Sequence, residues 1–411
     1  MAIQTGTDQQ LAGRVAAAIE RERETILHVA DTIHQNPELG REEHQAAELL
    51  ATTIATYGFE VERGSGGMDT AFKARKRGKS GGPVIAFLAE YDALPGLGHG
   101  CGHNLIAGSN LAAAIGLGEV IGELAGEVQL IGTPAEENYG GKVTMIRNGA
   151  FDDVDVALSS HHGGHRTGVA VAFPEGTCLA VTPRIFRYHG KTAHAAMDPH
   201  KGINALNAVI HLFTGIDALR QHVTPDVRIH GIITHGGEAP NVVPDFAEAH
   251  FLIRGASRAI VNDVIAKVEK IAEGAALMTG ARLEIDDTAE EYDDMLPSYR
   301  LGNVLRGKFD TAGLVEHPPR SEQPPQAGPA PYSTDLGNVS KVVPTSMVSF
   351  AISDVPINGH SQDVVDGSIS SFGREQALKT GTVLALGALD VLTQPDLVAA
   401  LKAEFAAANG A

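Results

Sequence analysis

Four short stretches of this sequence carry side chains that can hold a cation or move a proton. The first runs Ala89-Glu90-Tyr91-Asp92-Ala93-Leu94-Pro95 and on to Gly98-His99-Gly100-Cys101-Gly102-His103-Asn104. A thiolate and an imidazole separated by one glycine can both turn onto a single metal ion, because glycine lets the backbone fold tightly between them. The second, Thr133-Pro134-Ala135-Glu136-Glu137-Asn138, places two carboxylates side by side. Such carboxylates repel unless they share a cation or a proton. With a cation present, one Glu ligates it and the other stays free as a general base. The third is Ser159-Ser160-His161-His162-Gly163-Gly164-His165 and the fourth Asn358-Gly359-His360-Ser361.

Each stretch alone has a plainer meaning: a glycine-rich phosphate loop, solvated glutamates, or polar loops with incidental histidines. The glycines of the first do not follow the G-x-G-x-x-G spacing of a dinucleotide fingerprint, which would also leave Cys101 and His103 unexplained. In the third, His161 is the best-placed donor because it follows its strand most closely, with His162 and His165 as alternatives.

What unites the four is the element before each. Pro83 to Ala89 is a continuous apolar run of the kind found in strands buried on both faces. Val128 to Gly132, Val154 to Ser159 and Met347 to Ile352 read as further strands. Helices are expected over 8–35, 41–57, Leu105 to about Leu124, Lys142 to Arg147, 374–393 and 395–408, and one more strand over Thr70 to Ala74. Strands alternating with helices predict an α/β fold, a mostly parallel sheet sandwiched by helices. In open α/β sheets ligands gather beyond the carboxyl ends of the strands, where all four stretches would fall.

Between residues 179 and 292 the texture changes. Strands at Leu179 to Tyr188, Val227 to Thr234, Phe246 to Arg254 and Ala281 to Asp287 alternate with helices at Ile203 to His222 and Ala259 to Leu277. This β-α-β-β-α-β order predicts an α+β, ferredoxin-like domain. It is expected as an insertion in a two-piece domain of residues 1–178 and 293–411. His317 to Pro331 is expected as a proline-rich surface loop.

The chain has 411 residues, enough for two domains, with 43% hydrophobic residues and a formal net charge of −18. That acidity argues against nucleic-acid or anionic-membrane partners. Only two cysteines, no basic-then-apolar start and no apolar run of about 18 residues point to a soluble cytoplasmic protein.

The same motifs resemble the aminoacylase and carboxypeptidase-G type of co-catalytic metallopeptidases, in the branch of indoleacetyl-amino-acid hydrolases and p-aminobenzoyl-glutamate hydrolase. Asp92-Ala93-Leu94-Pro95, Cys101-Gly102-His103, Pro134-Ala135-Glu136-Glu137, Gly237-x-Ala239-Pro240-Asn241-Val242-x-Pro244-Asp245 and Ser333-Thr334-Asp335-Leu336-Gly337-Asn338-Val339-Ser340 match in order over nearly the whole chain. The resemblance implies two divalent metal ions, zinc or manganese, held by Cys101, His103, Glu137, His161 and His360, with the thiolate bridging. It implies Glu136 as general base and Asp92 as the acid that orients the ligands. His194 is implied as an oxyanion donor reaching from the inserted lid domain into a partner's site, hence a homodimer through that domain. Asn241 and Arg254 match positions that contact a substrate carboxylate. In relatives a proline commonly follows the fourth ligand; here His162 takes that place, so the ligand register stays open by one residue.

The chemistry so implied is hydrolysis of the amide bond of an N-acyl or N-aroyl amino acid or a dipeptide-like substrate. Two alternatives remain beside it: a thiol hydrolase using Cys101, and a non-catalytic or partner-dependent subunit.

Overall fold

A computed structural model describes residues 2–169, 178–318 and 332–410, with side chains from residue 9 onward. Among these residues the strands, in chain order, are β1 Glu60–Arg63, β2 Phe72–Arg77, β3 Lys79–Ala89, β4 Ala125–Gly132, β5 Val156–His162, β6 Gly168–Val169, β7 Ala180–His189, β8 Arg228–His235, β9 Phe246–Gly255, β10 Arg282–Asp286 and β11 Thr345–Phe350. The chain divides into two compact units: Met1–Thr177, Met295–Ala330 and Thr334–Ala411 form the first, and Cys178–Asp294 with Pro331–Ser333 the second.

The first unit is built on a seven-stranded sheet of order β1-β2-β4-β3-β5-β11-β6. The pairs β4–β3, β3–β5 and β5–β11 are parallel, while β1, β2 and β6 join antiparallel at the two edges. The apolar run of β3 is buried from Ile85 to Ala89, as expected of a strand covered on both faces. Helix His103–Gly118 packs against β3, β4 and β5 on one side and against Arg23–Gln35 and Ser371–Thr393 on the other. All sixteen of its residues are buried, which is why it is apolar all round rather than amphipathic. By length and composition His103–Glu123 could cross a bilayer, but 89% of its apolar window lies inside the protein, the signature of a core helix.

Several boundaries differ from the sequence expectation. The first helix is two helices, Ala2–Arg21 and Arg23–Gln35, broken at Glu22, whose carboxylate accepts hydrogen bonds from Tyr57 Oη and Arg21. The second starts at His44 rather than residue 41. Strand β5 runs to His162, beyond its expected end at Ser159, because β11 supplies Ser349 and Phe350 as pairing partners for His161 and His162. Glu136 and Glu137 open a short helix, Glu136–Tyr139, ahead of the helix expected from Lys142, which starts at Gly141. The expected proline-rich loop lies outside the described residues except for His317 and Pro318.

The second unit has a four-stranded antiparallel sheet of order β10-β7-β9-β8, with helices Ala205–Leu219 and Arg258–Thr279 against one face. Its local sequence explains its elements. Strand β9 alternates buried and half-buried residues along its whole length, the period of a sheet with one covered face. Asn204 and Ser257 cap the helix N-termini through their side chains, and Gly280 ends the second helix in the left-handed conformation. Tyr332 and Ser333 also belong here: Tyr332 O accepts from Leu179 N, and Ser333 Oγ accepts from Arg254 at 2.7 Å.

Candidate metal centre

At one end of the first unit's sheet, donors from four chain segments converge. Cys101 and His103 follow β3 and open the core helix. Gly102 between them has φ 65°, and its missing Cβ would lie 3.0 Å from the ring of His162. Glycine is therefore required there twice over, by conformation and by space. Glu136 and Glu137 follow β4, where Ala135 takes φ 62°. His161 is the last but one residue of β5, and His360 lies in the segment beyond β11 with φ 50°. Two non-glycine residues in the left-handed region beside one cluster of polar side chains mark a backbone shaped for a site rather than by local preference.

Three overlapping donor groups result: Cys101–His103–His161, Cys101–Glu137–His360 and His103–Glu136–Glu137, each with its ligand atoms within 4.8 Å of one another. Cys101 Sγ lies 3.5 Å from His161 Nε2. Glu137 Oε1 lies 3.5 Å from His360 Nε2 and 3.8 Å from His103 Nε2. Both His103 Nε2 and Glu137 Oε1 are buried without a hydrogen-bond partner. Buried polar atoms are ordinarily paired, so two orphans facing each other at this distance fit a cation. Soft sulfur, imidazole and carboxylate together suit zinc or a similar divalent ion. His162 and His165 belong to none of these groups.

Supporting contacts orient the donors. Asp92 Oδ1 accepts from His103 Nδ1 at 2.9 Å, directing Nε2 into the cluster, while Asp92 Oδ2 accepts from Glu137 N at 3.0 Å. One carboxylate thus aligns two donors, as acids behind metal ligands do. His161 Nδ1 bonds the His162 carbonyl at 2.9 Å, leaving its Nε2 toward Cys101.

Burial works against the charge of Asp92, yet His103 beside it holds the carboxyl below its usual range. Burial, with Glu137 and Glu90 adding their repulsion, pushes the Glu136 carboxyl well up. Burial also drives the Cys101 thiol up despite His103. Without a cation this thiol is a poor nucleophile, which disfavours a cysteine hydrolase.

Two further residues were not legible as site residues. Buried Glu43 accepts from Ala135 N at 2.7 Å, directly before the paired glutamates. Lys142 is wholly buried between Glu90 and Asp335. Glu43 sits in the run Arg41-Glu42-Glu43 and Lys142 follows two glycines, contexts that in sequence look like solvated surface.

In the second unit, His194 is exposed, and its Nδ1 accepts from Ala196 N and Met197 N, both at 3.2 Å. That leaves the ring proton on Nε2, pointing a donor away from its own loop. Asn241 is exposed on the neighbouring loop, and its carbonyl accepts from Ala195 N. Arg254 is half-buried on β9, hydrogen-bonded to Ser333, with no carboxylate bridged to it among the described residues. Burial lowers its pKa.

The first unit thus combines a largely parallel sheet with clustered candidate metal donors, and the second is a separate antiparallel-sheet unit. Comparison with known proteins agrees. Residues 184–278 match the peptidase dimerisation domain of the M20 type. The chain is 35% identical to mouse Xaa-Arg dipeptidase over 412 residues, covering 96% of this chain and 92% of that protein. It is 39% identical over 330 residues to one of the subunits of p-aminobenzoyl-glutamate hydrolase from Escherichia coli, covering 75% of this chain and 66% of that one. A dinuclear metal-binding M20 peptidase of Bacillus subtilis shares the fold, with TM-score 0.67 at 20% identity over 91% of this chain and 99% of that chain. The chain belongs to the M20 family of peptidases. It is a peptidase-type enzyme.

Proposed function

We propose that this protein is a dinuclear metal-dependent amidohydrolase that cleaves the amide bond of N-acyl or N-aroyl amino acids or dipeptide-like substrates. The observation that carries it is the pair of donor groups that share Cys101, with His103 Nε2 and Glu137 Oε1 orphaned and facing each other. The names of the relatives, a dipeptidase and part of an aminobenzoyl-glutamate hydrolase, support an amide bond next to a free carboxylate.

Cys101, His103 and His161 would hold one ion and Cys101, Glu137 and His360 the other, with the thiolate shared. Two divalent ions, zinc or manganese, supply Lewis acidity and a water whose pKa falls from about 15.7 towards 7. The work of the chain's own residues is then orientation and proton transfer. Asp92 fixes His103 and Glu137. Glu136, a buried carboxyl poised high, accepts the proton of the attacking water and delivers it to the leaving amine. His194, with its proton on Nε2, donates to the oxyanion as it develops. Arg254, a guanidinium with no acid bridged to it among the described residues, takes the substrate carboxylate, a contact to which Asn241 on the loop beside His194 also contributes.

The first unit is the catalytic domain in this proposal and the second a lid and dimerisation domain. Its edge strand β8 exposes Ile232 and Ile233, and helix Ala205–Leu219 exposes Ile210, apolar residues that a homodimer contact would cover. Cys101 and Cys178, neither joined in a disulfide, fit a reducing, cytoplasmic setting.

The deciding test is metal content of the purified protein together with hydrolysis of a panel of N-acyl amino acids and dipeptides, before and after chelation. About two ions per chain and activity lost on chelation, then restored by zinc or manganese, are expected. A metal-free protein that still hydrolyses the panel would overturn the proposal.

A further inference from the structure

Beside the paired glutamates lies a cluster of buried ions that the hydrolytic chemistry does not use. Lys142 Nζ donates to Glu90 Oε1 at 2.7 Å and to Asp335 Oδ1 at 2.6 Å, and Lys142 N donates to Asp335 Oδ2 at 2.9 Å. The side chains of Lys142 and Asp335 are completely buried and that of Glu90 nearly so. An ion cluster this deep contributes little net stability compared with apolar residues of the same volume, so stability alone is a weak reason for it.

Its placement supplies a stronger one. The segment from Pro134 to Lys142 carries Glu136 and Glu137, and its conformation is not one the residues favour: Ala135 has φ 62° and Gly140 φ 59°. The segment closes on itself, since Gly141 N bonds Ala135 O at 3.1 Å and a Cβ on Gly141 would lie 1.8 Å from Pro134 O. A shift of Lys142 must therefore move Pro134 and Ala135. Three of the contacts that hold the segment from outside are Glu43 at Ala135 N, Asp92 at Glu137 N, and the ion cluster at Lys142. The last is the only one of these three that ties the segment simultaneously to the end of β3, through Glu90, and to the start of helix Leu336–Val342, through Asp335.

We propose that Lys142, held between Glu90 and Asp335, is a positioning residue that clamps the Pro134–Lys142 segment and so sets where the Glu136 carboxylate stands. This rests on the role given above to Glu136. The Asp335 of the Ser333–Ser340 motif acquires a purpose in it, as the fixed wall against which the clamp closes.

The test compares wild type, Lys142→Met and the triple variant Glu90→Gln/Lys142→Met/Asp335→Asn, all metal-loaded. Four quantities are read: metal content, thermal midpoint, kcat and KM, and amide hydrogen exchange over residues 135–142. Lys142→Met is expected to keep its metals and its KM, lose about 100-fold in kcat, as a misplacement near 1 Å does, and exchange faster in that segment. The triple variant removes the unpaired buried charges and is expected to recover the thermal midpoint but neither kcat nor slow exchange. Recovery of kcat along with the midpoint would make the cluster a matter of charge balance and overturn the proposal, as would unchanged exchange in Lys142→Met. Should that variant fail to fold, Asp335→Asn, which keeps the shape and an acceptor, must still quicken exchange at 135–142; wild-type exchange would overturn the clamp. If wild type hydrolyses nothing in the panel, the hydrolase reading fails while exchange still decides the clamp.

Discussion

The two units of this protein obey local rules to different degrees. In the second, strands alternate in burial, helices start on Asn204 and Ser257 and stop at Gly280, and the candidate residues His194 and Asn241 stand exposed on loops. In the first, the strand ends carry buried acids, Ala135 and His360 in left-handed backbone, and buried polar atoms without partners, among them His103 Nε2 and Glu137 Oε1. Proteins break local rules where function requires it, and hold the strain with surrounding structure. The difference teaches that the backbone of the first unit is shaped around its cluster of donors, whereas that of the second follows local rules and leaves its candidate residues exposed.

Five substitutions sharpen or break that contrast. Glu136→Gln is expected to cost about 10²–10⁴-fold in kcat with both metals kept, the loss typical of a general base. Glu137→Ala, one residue on, is expected to lose metal as well, by elemental analysis; equal metal content in the two would undo the division of labour between them. His194→Ala is expected to lose about 10²–10³-fold in kcat with fold and metals intact, the scale of an oxyanion donor. Mixed with Glu136→Gln under conditions where subunits exchange, it should regain activity if sites are shared; no regain would confine the site to one chain.

Arg254→Met is expected to raise KM about 10–100-fold while leaving kcat near wild type, since a hydrogen bond to a charged group contributes about 1.5–3 kcal/mol. An unchanged KM would remove Arg254 from substrate binding. The smallest effect on turnover belongs to Glu43→Gln, which tests stability instead. Burial, and Asp92 next, raise the Glu43 carboxyl from 4.5 to about 7. The native state thus holds a proton that the unfolded state has released between those values. Its contribution is complete below 4.5 and is lost as pH rises through 7. Urea unfolding should therefore show the glutamine variant gaining on wild type by on the order of 2–3 kcal/mol at about pH 8 but not at about pH 4; a gain equal at both would mean that Glu43 does not titrate there.

Much of the candidate site was legible because its donors follow apolar strands and sit in glycine-flanked motifs, features that local chemistry imposes on the chain. Glu43 and Lys142 were not legible. A glutamate in Arg41-Glu42-Glu43 and a lysine after Gly140-Gly141 look like solvated charge, and their burial comes from segments distant in sequence, near residues 135 and 335. The end of β5 was misplaced for the same reason, since β11 decides how far it pairs.

The sequence by itself determined the alternation of elements, the α+β character of residues 179–292 and the supply of Cys, His and Glu donors, because periodicity and residue chemistry are local properties. Only the tertiary structure decided that His161 rather than His162 turns toward Cys101, that Asp92 serves His103 and Glu137 together, and that Lys142 closes against Glu90 and Asp335. Each of these depends on distances between segments far apart in the chain, set by strand register and helix packing, which no local pattern encodes.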